Sequence, residues 1–408
     1  MNINFRLKGF TIFVFCLYIF WGTFGIDITL HPNIARFPLH RGFITLTAFI
    51  FFFNAQQIIN VCLNNKLLIT LIAYILLTAA WSYNASDTIK NFIFLSSTLF
   101  ISIMASLAFI DRRISFIRWL FWLFLLMAVA SILAATIFPQ VGINFKDFGK
   151  PRWIGITTHP NALGASSLVL TWLATNLLFL TRSKLEKTLI FFATIISFFI
   201  MIKADSMTSL ITSIFITFYI IYLYLFSGIN SSIKLFLYTV AFFIALLTFT
   251  FYKDFSEIVN IALSSTGRNT TFTGRALLWQ RAFMAVGKNI IFGYGFDNLE
   301  QLSKMYHLQM AHLHNGYVEI LVKGGLVASV LLSIVILKTY FKQLKIKHPL
   351  KHEFIFLHTG LVMILMHNFT ESSILKGLNT LGILIIYIIV STSIAESNFK
   401  INKPISNA

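Results

Sequence analysis

The chain has 408 residues, of which 57% are hydrophobic and only 11% charged, with 45 phenylalanines. That is far more apolar surface than a soluble globule of this size can bury, so the composition excludes a water-soluble enzyme or binding module and requires an integral membrane protein. A net charge of +18 points to nucleic acid in a soluble protein, but here most lysines and arginines fall in short connections between apolar runs, where they act as orientation signals; no nucleic acid is expected.

Apolar stretches close to the ~20 residues that a helix needs to cross the bilayer recur along the whole length. They must be helical, because unpaired backbone groups are prohibitively costly in lipid. In chain order the runs predict twelve spans, at roughly 9–26, 42–61, 67–83, 91–110, 115–138, 153–180, 188–202, 206–226, 235–252, 316–337, 354–371 and 380–395. The first follows Arg6 and Lys8 as a secretory signal does, yet no small-residue cleavage site follows it, so it is expected to be retained. Cys16 and Cys62 lie within or at the end of apolar runs and support neither a disulfide framework nor a metal cluster.

With the N-terminus cytoplasmic, one set of connections carries Lys66, then Arg112, Arg113 and Arg118, then Arg182, Lys184 and Lys187, then Lys234, and finally Lys338, Lys342, Lys345, Lys347 and Lys351. The alternate connections carry fewer, which puts both termini inside and residues 253–315 outside. The junction Lys203-Ala-Asp205 is decisive, since one long bent segment there would invert everything downstream. The expected fold class is all-α: a polytopic helical bundle of about 12 transmembrane helices, one membrane domain over 1–408, with one long periplasmic loop between spans nine and ten.

That loop, 253–315, is the only long run too polar for a bilayer. From Thr273 to Val286 its apolar residues fall at helical spacing behind a threonine cap. The helix then breaks at Gly293-Tyr-Gly-Phe, where glycines permit a tight turn. A second short helix is expected near 297–307, the pair forming an amphipathic cover on the membrane surface or over a cavity.

Five groups of residues can carry chemistry. His312, His314, Asn315 and Glu319 stand at the mouth of span ten; a histidine there can take a proton near neutral pH while an amide and a carboxylate orient a sugar hydroxyl. The plainer alternative is an interfacial histidine pair among headgroups. A zinc site from His307, His312 and His314 lacks HExxH spacing or a supporting cysteine, so no metal is expected. Arg275, in Thr-Gly-Arg, and Arg281 lie where the orientation rule asks for no cation. A guanidinium fork suits a phosphate or pyrophosphate, and a solvated face on lipid headgroups is the alternative.

The third group runs from Lys150 through Arg152, His159 and Asn161 to Gly164. Its proline, asparagine, histidine and glycine imply a broken helix that faces protein or water, either lining a site or kinked against a neighbour. Lys203 and Asp205 between spans seven and eight either pair with each other or serve the same face. His367-Asn-Phe-Thr-Glu371-Ser adds a further carboxylate, Glu371, as a base or as a surface glutamate.

RWIGITTHPNALG, TGRALLW, GYGF, AHLHNGYVEILVKGGL and HNFTESS, in that order, resemble the O-antigen ligase and polysaccharide-polymerase superfamily over roughly residues 150–395. The superfamily's pattern of a histidine, a small polar residue, nine residues and a glycine reads here as His314, Asn315 and Gly325. The resemblance implies an inner-membrane glycosyltransferase with no cofactor and no nucleotide sugar, its site facing the periplasm. The donor would be a glycan on undecaprenyl pyrophosphate, the acceptor a glycan or lipid A-core, and membrane lipids would surround the carrier's tail. Arg275 would grip the donor pyrophosphate and His314 would deprotonate or position the acceptor hydroxyl. A family arginine in the serine-rich start of span eight is missing, the segment here being Asp205-Ser-Met207-Thr-Ser. Either Lys203 supplies that charge or the chain stands on the polymerase side, toward which the ThrGluSer and HPNALG segments lean. A lipid-linked oligosaccharide transporter is the competing class, weakened by the few acids within the spans and the lack of inverted halves.

Overall fold

A computed structural model describes residues 8–24, 37–109, 113–145, 151–226, 275–297, 299–308, 313–346, 350–377 and 379–401. Its helices are α1 (Lys8–Phe24), α2 (Phe37–Asn64), α3 (Lys66–Leu77), α4 (Ala85–Ala108), α5 (Arg113–Ile137), α6 (Pro139–Gly142) and α7 (Pro160–Leu180). They continue with α8 (Lys184–Lys203), α9 (Met207–Phe226), α10 (Arg275–Lys288), α11 (Glu300–Met305), α12 (Gly316–Ile346), α13 (Lys351–His367) and α14 (Thr380–Ile401). Eight of them are long and apolar enough to cross a membrane, and α1 and α3 are shorter apolar helices. The protein is an all-α, multi-pass membrane protein. Of the predicted spans, the ninth (235–252) lies outside the described residues, and every other one coincides with a helix.

Span six differs from expectation at its start. The helix begins at Pro160, not near 153, because Pro160 occupies the first turn and the His159 side chain accepts from Asn161 N at 3.1 Å. Residues 152–153 instead form β2, paired antiparallel with β1 (Ile143–Asn144). The break between spans seven and eight is real: α8 ends at Lys203, and Asp205 adopts a left-handed φ of 49° before α9 begins. Caps mark other starts. Ser183 accepts from Glu186 N to open α8, and Asn84 accepts from Asp87 N to open α4.

The bundle wraps around α7 and α14, its most enclosed spans. Trp172 on α7 is fully buried, stacks on Phe356 at 4.4 Å and donates to Thr359 Oγ1 at 3.0 Å. Small hydroxyl side chains let neighbouring helices meet through hydrogen bonds, as in Thr171···Ser197 at 2.7 Å and Ser106···Ser391 at 2.6 Å. Large apolar side chains such as Phe52 and Phe218 face outward, 79% and 68% exposed, which is the pattern expected where the surrounding solvent is lipid.

One pole of the bundle carries a small second core built from α10, α11 and the start of α12, including Leu278, Ala282, Val286, Leu302 and Val318. It is tied to the bundle through a break in α12. Gly325 sits at φ 62°, ψ −162°, a backbone region open essentially to glycine alone. The break frees backbone groups that the 290–295 turn takes up: Leu326 N donates to Ile290 O at 2.8 Å, Tyr294 N to Val322 O at 3.0 Å and Gly295 N to Lys323 O at 2.8 Å. Gly293, at φ 67°, lies against the same break. Tyr74 on α3 closes the joint, donating to both Phe292 O and Gly324 O.

Candidate active site

The polar residues of this pole converge from segments far apart in the chain. Asn315 opens α12, its Oδ1 accepting from Tyr317 N at 3.0 Å and Val318 N at 3.1 Å. His314, immediately before it, is held at φ 47°, a conformation that costs a non-glycine residue about 1–3 kcal/mol and so must be enforced by its surroundings. Those surroundings are visible on both sides. Trp279 Nε1 on α10 donates to Leu313 O at 2.8 Å, while Gly316 N donates to Asn368 O at 2.9 Å and Glu371 O at 3.0 Å.

The imidazole that results faces a carboxylate. His314 Nδ1 lies 3.5 Å from Glu371 Oε2, with the side chains 21% and 16% exposed. Glu371 is therefore no free surface glutamate. Its other oxygen accepts from Asn161 Nδ2 at 2.7 Å. Asn161 Oδ1 in turn accepts from Arg152 Nη2 at 3.1 Å. A continuous polar chain thus runs from buried Arg152 through Asn161 and Glu371 to a half-buried histidine.

Arg152, one of the residues expected to bind substrate, is buried. Its guanidinium also donates to Ala204 O and Asp205 O, each at 3.1 Å, so it clamps the α8–α9 turn from a buried position. Lys203 is exposed on α8 with its ammonium over the Phe199 ring, 5.7 Å from the centroid, outside the Asn161–Glu371–His314 chain. Arg281 donates to His307 O and pins the turn after α11. His159 serves as the cap of α7 beside Asn161. The α9 start is joined to the Glu371 segment by Thr208···Thr370 at 2.6 Å and by Ser209···His367 at 3.3 Å.

Two of the predicted residues fall where side chains are not described. His312 lies outside the described residues, and Arg275 is present as the first residue of α10 without a described side chain. Its backbone stands about one helical turn, about 6 Å of rise, before Trp279, which bonds the residue preceding His314. Among the described residues no group of three or more His, Cys, Asp and Glu is arranged to hold a metal.

Glu319, one turn into α12, belongs to a second cluster. Its buried carboxylate lies 3.1 Å from Lys323 Nζ and 3.1 Å from Lys376 Nζ, and accepts from Ser372 Oγ at 2.7 Å. Burial pulls the Lys376 ammonium below the ordinary lysine range, with Glu319 opposing it. Residues 371–376 thus form a rib with the His314 cluster on one side and the Glu319 cluster on the other. Lys323 and Lys376 carried no sequence signal: one is at helical spacing from Glu319, the other far along the chain.

A helical membrane bundle with a histidine–carboxylate pair at one pole describes a polytopic membrane protein. The comparisons with known proteins narrow this. Residues 169–333 match the family described as Wzy_C, O-antigen ligase. The chain is 32% identical over 98 residues to the exopolysaccharide production protein ExoQ of Rhizobium meliloti, covering 21% of this chain and 22% of that protein. It is 34% identical over 99 residues to an uncharacterized protein of Haemophilus influenzae, covering 22% of this chain and 25% of that one. The similarity thus spans about a quarter of the length of these curated relatives.

Proposed function

We propose that the protein transfers a glycan from undecaprenyl pyrophosphate to an acceptor hydroxyl during surface polysaccharide synthesis, at the periplasmic face of the bacterial inner membrane. The observation that carries this reading is the His314–Glu371 pair at the mouth of α12, within hydrogen-bonded reach of Asn161. With Nδ1–H directed at Glu371, the Nε2 lone pair is left to accept a proton, and the carboxylate stabilises the imidazolium that forms. The 3.5 Å separation is of the kind that tightens when substrate is bound.

In the proposed step the acceptor oxygen attacks the anomeric carbon from the face opposite the leaving group. The new C–O bond forms as the C–O bond to pyrophosphate breaks, His314 takes the hydroxyl proton, and undecaprenyl pyrophosphate departs with the electron pair. Arg275 at the start of α10 stabilises the charge that builds on the leaving group, and the configuration inverts. The 253–315 segment acts as the cover of the site. The step requires no metal.

Within the superfamily we favour a polymerase, because Met207 occupies the α9 start where the resemblance expects the ligase arginine, and Lys203 does not replace it in the cluster. The ligase reaction, joining glycan to lipid A-core, is the second reading, supported by the description of the matching family. Purified protein given a lipid-linked oligosaccharide, with and without lipid A-core, separates them: elongated glycan on the carrier marks a polymerase, and glycosylated core marks a ligase. No product under either condition, together with translocation of the lipid-linked unit in vesicles, overturns the assignment in favour of a transporter.

A further inference from the structure

The second cluster opens into a half-open cavity of about 420 Å³ between the start of α4, the 296–297 turn, α12 and the 374–377 segment, a volume in the range of small-molecule sites. Its charges are unevenly distributed. At the inner wall two ammoniums, Lys323 and Lys376, each lie 3.1 Å from the carboxylate of Glu319. At the rim Lys90 is neutralised by Asp87 at 3.0 Å. Asp297, also lining the cavity, is held by neutral donors, Ser82 Oγ at 3.1 Å, Asn84 N at 3.3 Å and Leu299 N at 2.9 Å. Phe94 and Phe296 supply ring surface between rim and wall.

We propose that this cavity is a glycan subsite that takes a carboxylate-bearing sugar residue, with the carboxylate on Lys323 and Lys376 and the hydroxyls on the rim. Two neighbouring ammoniums offer a carboxylate two charge-assisted donors. Sugar hydroxyls can donate to Asp87 and Asp297 where a polyanion such as pyrophosphate would be repelled, and a pyranose C–H face suits the phenylalanine rings. Position supports the same reading. Glu319 is one turn of α12 beyond Asn315, and Ser372, which bonds it, adjoins Glu371, so a sugar held here lies next to one held at His314. The proposal rests on the glycan-transfer reading for its biological meaning and deepens it by naming an acidic glycan.

Its test is a binding measurement that needs no turnover, so it succeeds or fails independently of the role of His314. Full-length protein in phosphatidylcholine nanodiscs is titrated with glucuronosyl-β-1,4-glucose and with cellobiose, which differ by a carboxylate in place of a hydroxymethyl group. Wild-type protein is expected to bind the uronate at least tenfold more tightly than cellobiose. Lys376→Gln should lose that preference, Lys376→Arg should retain it within threefold, and Lys90→Gln at the neutralised rim should change it by less than threefold. Equal binding of the two disaccharides overturns the proposal, as does an unchanged preference in a Lys376→Gln protein that elutes and melts as wild type. Displacement of the uronate by undecaprenyl pyrophosphate in the nanodisc, abolished by the same Lys376→Gln change, assigns the lysines to the carrier instead and equally overturns it.

Discussion

The two poles of the bundle use charge in opposite ways. At the pole away from His314, charged groups meet in closed pairs: Arg113 with Glu353 at 3.0 Å, Arg118 with Glu186 at 2.9 Å and Lys345 with Glu396 at 3.2 Å. Each pair joins two helices. At the other pole the charges form a chain that ends on a half-buried imidazole with one nitrogen facing its carboxylate. The first arrangement holds helices together; on the proposed reading, the second directs an acid–base group at a ligand. The same residue types therefore do different work according to whether their partners leave an end open.

The contrast is most sharply tested by breaking that end. His314→Ala and Arg275→Ala should each lower glycan transfer about 10²–10⁴-fold, read as product from lipid-linked oligosaccharide, while membrane insertion and elution of the purified protein stay normal. Glu371→Gln keeps the shape and the Asn161 contact but removes the charge facing His314; about a 10²-fold loss of transfer is expected.

Structural changes should weigh less on chemistry and more on stability. Gly325→Ala forces a side chain into the Ile291 carbonyl at φ 62°, and should cost about 1–3 kcal/mol, seen as a fall in melting temperature with the α10–α11 core loosened in hydrogen exchange. Arg152→Lys removes the fork that reaches Asn161 and the α8–α9 turn together; about 1–3 kcal/mol and a modest loss of transfer are expected, because Asn161 is then less firmly aimed at Glu371. At the opposite pole, Ser183→Ala should cost only about 0.5–2 kcal/mol through the lost cap on α8 and leave transfer unchanged. A large transfer defect from Ser183→Ala would erase the distinction between the poles.

The helices were legible because lipid imposes apolar runs of fixed length, and the interruption at 203–206 was legible because a lysine and an aspartate stand between two such runs. His314, Asn315 and Asn161 stood out because polar residues at the entry of an apolar helix are costly and few. What could not be read were partnerships set by tertiary packing. Glu371 is 57 positions from His314 and 210 from Asn161, and no local period links them. The backbone partners of Arg152 at 204 and 205 could not be read either, because any sequence would supply such carbonyls. Trp279 passed as a core residue in an amphipathic helix, although its indole nitrogen braces the His314 turn.

The joint at Gly325 constrains how ligands can come and go. Because the 290–295 stretch completes the hydrogen-bond ladder that α12 leaves open, lifting it away would strand several amides and carbonyls at once, each at a cost of about 1–3 kcal/mol. That stretch and the upper part of α12 must travel as one body. On the proposed reading, a bulky lipid-borne chain would then exchange sideways, through gaps between helices in the plane of the bilayer, with the roof left in place.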